Sequence, residues 1–77
     1  PVLLAEQVAT VDLLSGGRLD LGIGRGYRWS EFRGFGLPPE EAADRFEETL
    51  DVLLRALTSD ARFSHQGQYW TFRDILV

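Results

Sequence analysis

The sequence predicts an α/β chain, on three observations: a helical apolar run over residues 2–14, a glycine stop at Ser15-Gly16-Gly17, and an alternating run over 18–23. Helix, glycine turn and strand in that order fit one αβ step of a parallel sheet. In the first element Leu4, Val8, Val11 and Leu14 recur at helical spacing, with Glu6, Thr10 and Asp12 largely opposite and Leu3 and Leu13 widening the apolar face. The glycines that follow reach the left-handed conformation that a helix C-terminus commonly needs. In RLDLGI, Leu19, Leu21 and Ile23 share one face, while Arg18, Asp20, Gly22 and then Gly24 share the other. Two glycines at the C-terminal end of that second face leave room for a close ligand or backbone.

Residues 25–39, RGYRWSEFRGFGLPP, form a long connection that directly follows the strand end, and long loops at that place are often functional. A short helix is expected around Ser30–Arg33, capped by Ser30. From Glu40 to Thr58, Phe46, Leu50, Leu53, Leu54 and Leu57 give the strongest helical pattern in the chain. Glu40 and Glu41 suit the positive end of that helix, and Glu41/Arg45 and Asp51/Arg55 stand four apart in the favourable orientation for ion pairs. Residues 62–72, RFSHQGQYWTF, read as a hairpin turning at Gln66-Gly67, and the chain closes on the apolar, strand-like RDILV.

The chain has 77 residues, eight basic and twelve acidic, with a net charge of −4. Nucleic acid is therefore not an expected partner, because duplex affinity rests on cations that neutralise phosphates. There is no cysteine, which excludes disulfides and thiolate metal sites. No apolar run approaches the ~20 residues of a membrane-spanning helix, and nothing resembles a signal peptide, so a soluble, cytoplasmic chain without membrane partners is expected. All eight basic residues are arginine. The absence of methionine, the start at Pro1 inside a helical pattern and the stop on RDILV lead to the expectation of a piece of a larger domain, cut at both ends. A chain of this length buries only ~60% of its unfolded surface, which makes it marginal alone.

The run Gly22-Ile23-Gly24-Arg25-Gly26 invites comparison with the dinucleotide fingerprint G-x-G-x-x-G. Tyr27 occupies the place of the third glycine and no helix follows at once, so that reading fails. What remains is either a structural glycine turn or a strand end built for close approach, where a planar ring could lie and Arg25 offers a forked cation suited to phosphate. The acidic run Glu40, Glu41, Asp44, Glu47, Glu48 and Asp51 reads as a solvated helix face, since a carboxylate-bridged metal site would want a Glu-x-x-His element and the sole histidine, His65, lies elsewhere. No metal site is expected. His65 reads as a hairpin residue, and Tyr69, Trp70 and Phe72 as packing aromatics that could also stack on a ligand.

In combination, LLSGGR, LDLGIGRGY, the spaced EF and FG of the loop, R-F-E-E-x-L at 45–50 and HQGQYWTF closely resemble the bacterial luciferase-like, flavin-dependent monooxygenase family across nearly the whole chain. That resemblance implies a fragment of a (β/α)8 TIM barrel, residues 1–77 supplying a helix, a barrel strand, a long loop, a helix and a hairpin. It implies reduced FMN as cofactor, bound at the C-terminal ends of the strands, where barrels place their sites. Gly24, Arg25, Gly26 and Tyr27 are then the expected cofactor-binding residues, with Gly24 facing the flavin ring and Arg25 reaching its phosphate. The alternation of the strand also puts Gly24 on the small-residue face, which would be the barrel interior. Luciferase itself carries a reactive cysteine at the position of Gly24, so light emission is not expected here. A deazaflavin is the less favoured cofactor, because that branch carries a longer acidic, asparagine-containing motif after the strand, which GRGYRWSEF lacks. A small organic substrate, flavin reduced by a separate reductase or by nicotinamide, and a homodimeric parent complete what the resemblance implies. No residue of the chain is expected to act as a catalytic acid or base. The competing reading is a non-catalytic module that associates through its helices.

Overall fold

A computed structural model describes residues 1–77. Helix α1 spans Val2–Leu14, as its spacing predicts. Gly16 (φ +72°) and Gly17 (φ +78°) end it in the left-handed region, where glycine has no Cβ to clash. Their N–H groups return to the carbonyls of Leu13 at 3.2 Å and Asp12 at 2.8 Å, so the last turn keeps its hydrogen bonds.

The strand expected at 18–23 does not form: residues 18–28 carry no regular secondary structure, and the chain's one sheet is a two-stranded hairpin. A parallel strand exists only through hydrogen bonds to flanking strands, and none of this chain lies beside it. Leu21 and Ile23, meant for a buried face, are accordingly left exposed. Helix α2 spans Trp29–Gly34 and is entered from Arg28 with no side-chain cap, so Ser30 lies within the first turn rather than capping it.

A 3₁₀ turn at Pro39–Glu41 leads into α3, Ala42–Thr58. Proline suits this entry because its fixed φ is helical and its missing N–H would have had no partner. Both expected ion pairs form, Glu41–Arg45 at 3.5 Å and Asp51–Arg55 at 3.6 Å. The second is well exposed and contributes at most ~0.5 kcal/mol.

Helix α1 packs on α3, and the small side chains of Ala5 and Ala56 meet with Leu53 in a buried cluster flanked by Leu4, Phe63 and Val77. Val52 is the other buried residue. The stripe read from the sequence of α3 is therefore only partly the covered one: Leu53 is buried, but Leu54 remains 53% exposed. Nor is α1 covered along one face, since Leu3, Leu13 and Leu14 stay largely exposed on it. The single covered stripe expected for α1 is thus not seen: apolar Leu3, Leu13 and Leu14 are exposed along with polar Glu6 and Thr10. With four of 77 residues buried, the isolated chain is expected to be molten or to self-associate. Dispersed amide NMR signals from a monomer of these 77 residues would contradict this expectation.

Strands β1, Phe63–Gln66, and β2, Thr71–Ile75, pair antiparallel, with Phe63 opposite Ile75 and Gln66 opposite Thr71. The connecting turn is thus Gly67–Trp70, not Gln66-Gly67, and β2 takes in most of RDILV. Between the Phe63 and His65 pairs the register breaks, and Asp74, at φ +53°, takes up the irregularity. The hairpin lies on α3: Arg55 donates to the Ser64 carbonyl at 3.3 Å and its guanidinium stands 4.7 Å from the centre of the Phe63 ring. No helix of the chain is long and apolar enough to cross a membrane.

Candidate functional site

The four residues singled out by the sequence, Gly24 to Tyr27, lie along two neighbouring clefts that share Arg25, Phe32 and Ala42. One, of about 380 Å³, is lined by Gly24 and Arg25 together with Arg45, Phe46, Thr49 and Trp70. The other, of about 470 Å³, is lined by Arg25, Gly26 and Tyr27 with Trp29, Pro39 and Glu40. Irregular backbone, α2, the entry to α3 and the hairpin turn all contribute walls.

Gly24 faces open space: a Cβ built there meets no atom within 4 Å. Gly26 is glycine for a different reason, its φ of +83° lying in the region that L side chains avoid, beside the Phe32 ring. Arg25, like Arg33 and Arg73 but unlike Arg45 and Arg55, which Glu41 and Asp51 engage, has no side-chain hydrogen bond, ion pair or ring contact, and of these three it alone lines the clefts. An unpaired guanidinium beside an unfilled glycine position fits a phosphate-bearing planar group, through a charge-assisted fork and room for a ring. Tyr27 is exposed, with Arg28 5.8 Å from its ring centre.

Behind the first cleft, Arg45 stands 4.3 Å from the ring centre of Tyr69 and 5.8 Å from that of Trp70. Burial raises the pKa of the Tyr69 hydroxyl, and the Glu41 and Asp44 carboxylates add to this against the opposing pull of Arg45.

The turn that carries Tyr69 and Trp70 is held by Glu48, a residue that the solvated-face reading of the acidic run missed. Its carboxylate accepts the backbone N–H groups of Gln68 at 2.7 Å, Tyr69 at 3.2 Å and Trp70 at 2.9 Å. His65 Nε2 lies 3.2 Å from the same carboxylate, and Arg55 donates to His65 Nδ1 at 3.4 Å, which leaves Nε2 as the protonated nitrogen. Both side chains are only 11% exposed. A sequence signal existed: Glu48 stands one turn before the buried Val52, on the covered side of α3, unlike Glu47 and Asp51.

Burial alone would raise the Glu48 pKa, but His65 and the three backbone donors outweigh it and hold the carboxyl below its usual range. With the folded pKa below the unfolded one, the stabilisation is complete above the ordinary carboxylate pKa and is lost as pH falls through the depressed value. Thermal unfolding of the full-length protein followed across pH should show wild type more stable than Glu48→Gln near neutrality, with the difference closing in acid. A difference independent of pH would rule out the ionised carboxylate as its source.

Over residues 1–77 the chain matches the family described as luciferase-like monooxygenase. It is 42% identical over 69 residues to an uncharacterized protein of Sinorhizobium fredii, covering 90% of this chain and 19% of that one. It is 32% identical over 76 residues to the FMNH(2)-dependent dimethylsulfone monooxygenase of Pseudomonas putida, covering 96% of this chain and 21% of that one. With the oxygenase component of the flavin-dependent trigonelline monooxygenase of Acinetobacter baylyi it shares 32% identity over 74 residues, covering 94% of this chain and 20% of that one. The chain thus spans about a fifth of the length of these relatives. No solved structure gives a significant match.

Proposed function

Since the chain belongs to the luciferase-like monooxygenase family, we propose that it is the part of an FMN-dependent monooxygenase that receives the flavin, within a (β/α)8 barrel. The observation that carries this reading is the unpaired Arg25 shared by two clefts, next to the open position at Gly24. Arg25 would hold the flavin phosphate, Gly24 would leave space for the ring, and Gly26 and Tyr27 would shape the adjoining wall. Reduced FMN supplies the two electrons with which one atom of dioxygen enters a small organic substrate and the other leaves as water. The chain's own part is to bind, to orient and to exclude water, through the aromatic and apolar walls of Phe32, Phe46 and Trp70. The names of the relatives support the cofactor, one specifying FMNH(2) and another an oxygenase component, which accords with flavin reduced on a separate protein.

Anaerobic titration of the full-length protein with reduced FMN and with a reduced deazaflavin tests the reading. Tighter binding of FMN is expected. Preference for the deazaflavin would assign the chain to that branch of the family instead.

A further inference from the structure

We infer that Glu48 is a positioning residue for the cleft of Gly24 and Arg25, acting through the Gly67–Trp70 turn that makes Trp70 a wall of that cleft. The inference rests on the flavin reading for the occupant, but the device itself is visible in the chain. Three consecutive backbone N–H groups, of Gln68, Tyr69 and Trp70, converge on one carboxylate from a helix twenty residues earlier in sequence. A nest of successive amides is an anion-binding concavity, and here the anion is supplied from within the fold. The turn's own backbone closure, Gly67 N–H to the Trp70 carbonyl at 2.8 Å, leaves these donors for Glu48 alone.

Gly67 completes the device. A Cβ built on it would fall on the Glu48 carboxylate, so a side chain there requires the carboxylate to move from the position in which it makes its contacts. Glu48 touches neither Gly24 nor Arg25. Its effect on the cleft must pass through Trp70, which lines the same cleft as Arg25, and through Tyr69 and Trp70 as the aromatic seat of Arg45. Two independent substitutions therefore disturb the same contacts, Glu48→Ala by removing the carboxylate and Gly67→Ala by displacing it.

The test uses the full-length protein labelled with 5-fluorotryptophan, the Trp70 resonance being identified by its loss in Trp70→Phe. Glu48→Ala and Gly67→Ala should each shift or broaden the Trp70 ¹⁹F signal and leave that of Trp29 in place. Each should also weaken reduced FMN roughly three- to tenfold, the range of an aromatic contact. Trp70→Leu should weaken FMN similarly, and Glu48→Ala combined with Trp70→Leu should be no weaker than Trp70→Leu alone. An unmoved Trp70 signal in both variants overturns the inference whatever the ligand. A moved signal with unchanged FMN affinity, while Arg25→Ala does weaken FMN, overturns it too, leaving Glu48 a purely structural residue; so does full additivity in the double variant. Should wild type fail to bind FMN, the flavin reading falls and this inference falls with it.

Discussion

Gly24→Leu in the full-length protein is expected to abolish flavin binding while leaving thermal unfolding almost unchanged. Nothing within this chain requires glycine at that position: its φ lies outside the left-handed region and a Cβ would meet no atom within 4 Å. Whatever the missing side chain makes room for is therefore not among these 77 residues. If it is the flavin ring, a leucine would place four carbons in the space left for it. Overpacking by a few methylenes commonly costs ~1–3 kcal/mol in a protein core, and a rigid ring has less freedom to yield than side chains have, so a loss of roughly a hundredfold or more follows. Equilibrium dialysis against reduced FMN, with a thermal scan of the same sample, separates the outcomes. A lowered unfolding temperature with normal FMN affinity would return Gly24 to the turn-forming role that the glycine run also allowed.

Local rules carried the reading of the fold a long way. The glycine stop after α1 and the two i,i+4 ion pairs of α3 depend on residues within one turn of each other, and all were legible. The strand at 18–23 was legible as a pattern but does not form, because a ladder needs partners that local sequence cannot supply. The hairpin is legible but its turn is not: Gln66-Gly67 has the local look of a two-residue turn, but Gln66 is already paired with Thr71 and the bend falls on the next four residues. That longer turn brings three successive N–H groups onto the carboxylate of Glu48, which is far away in sequence. In the candidate site, Gly24 and Arg25 draw attention in the sequence because a missing side chain and a forked cation state their chemistry directly, whereas Gly26 and Tyr27 enter with the family resemblance. Trp70 and Arg45 could not be joined to them, since only the docking of the hairpin on α3 brings them to the same cleft.

Whether Arg25 holds a phosphate is decided by comparing two ligands that differ only in that group. A charge-assisted hydrogen bond contributes ~1.5–3 kcal/mol, so Arg25→Ala in the full-length protein should weaken FMN by roughly ten- to a hundredfold. Arg25→Lys should restore only part of the loss, because a point charge does not reproduce a two-pronged fork. Riboflavin carries the same ring without the phosphate, and the measurement is the ratio of FMN to riboflavin affinity in wild type and Arg25→Ala. This ratio should fall by nearly the whole of the FMN loss, with riboflavin binding almost unchanged. Equal weakening of both ligands would contradict this, and would show that Arg25 shapes the loop rather than holding the phosphate.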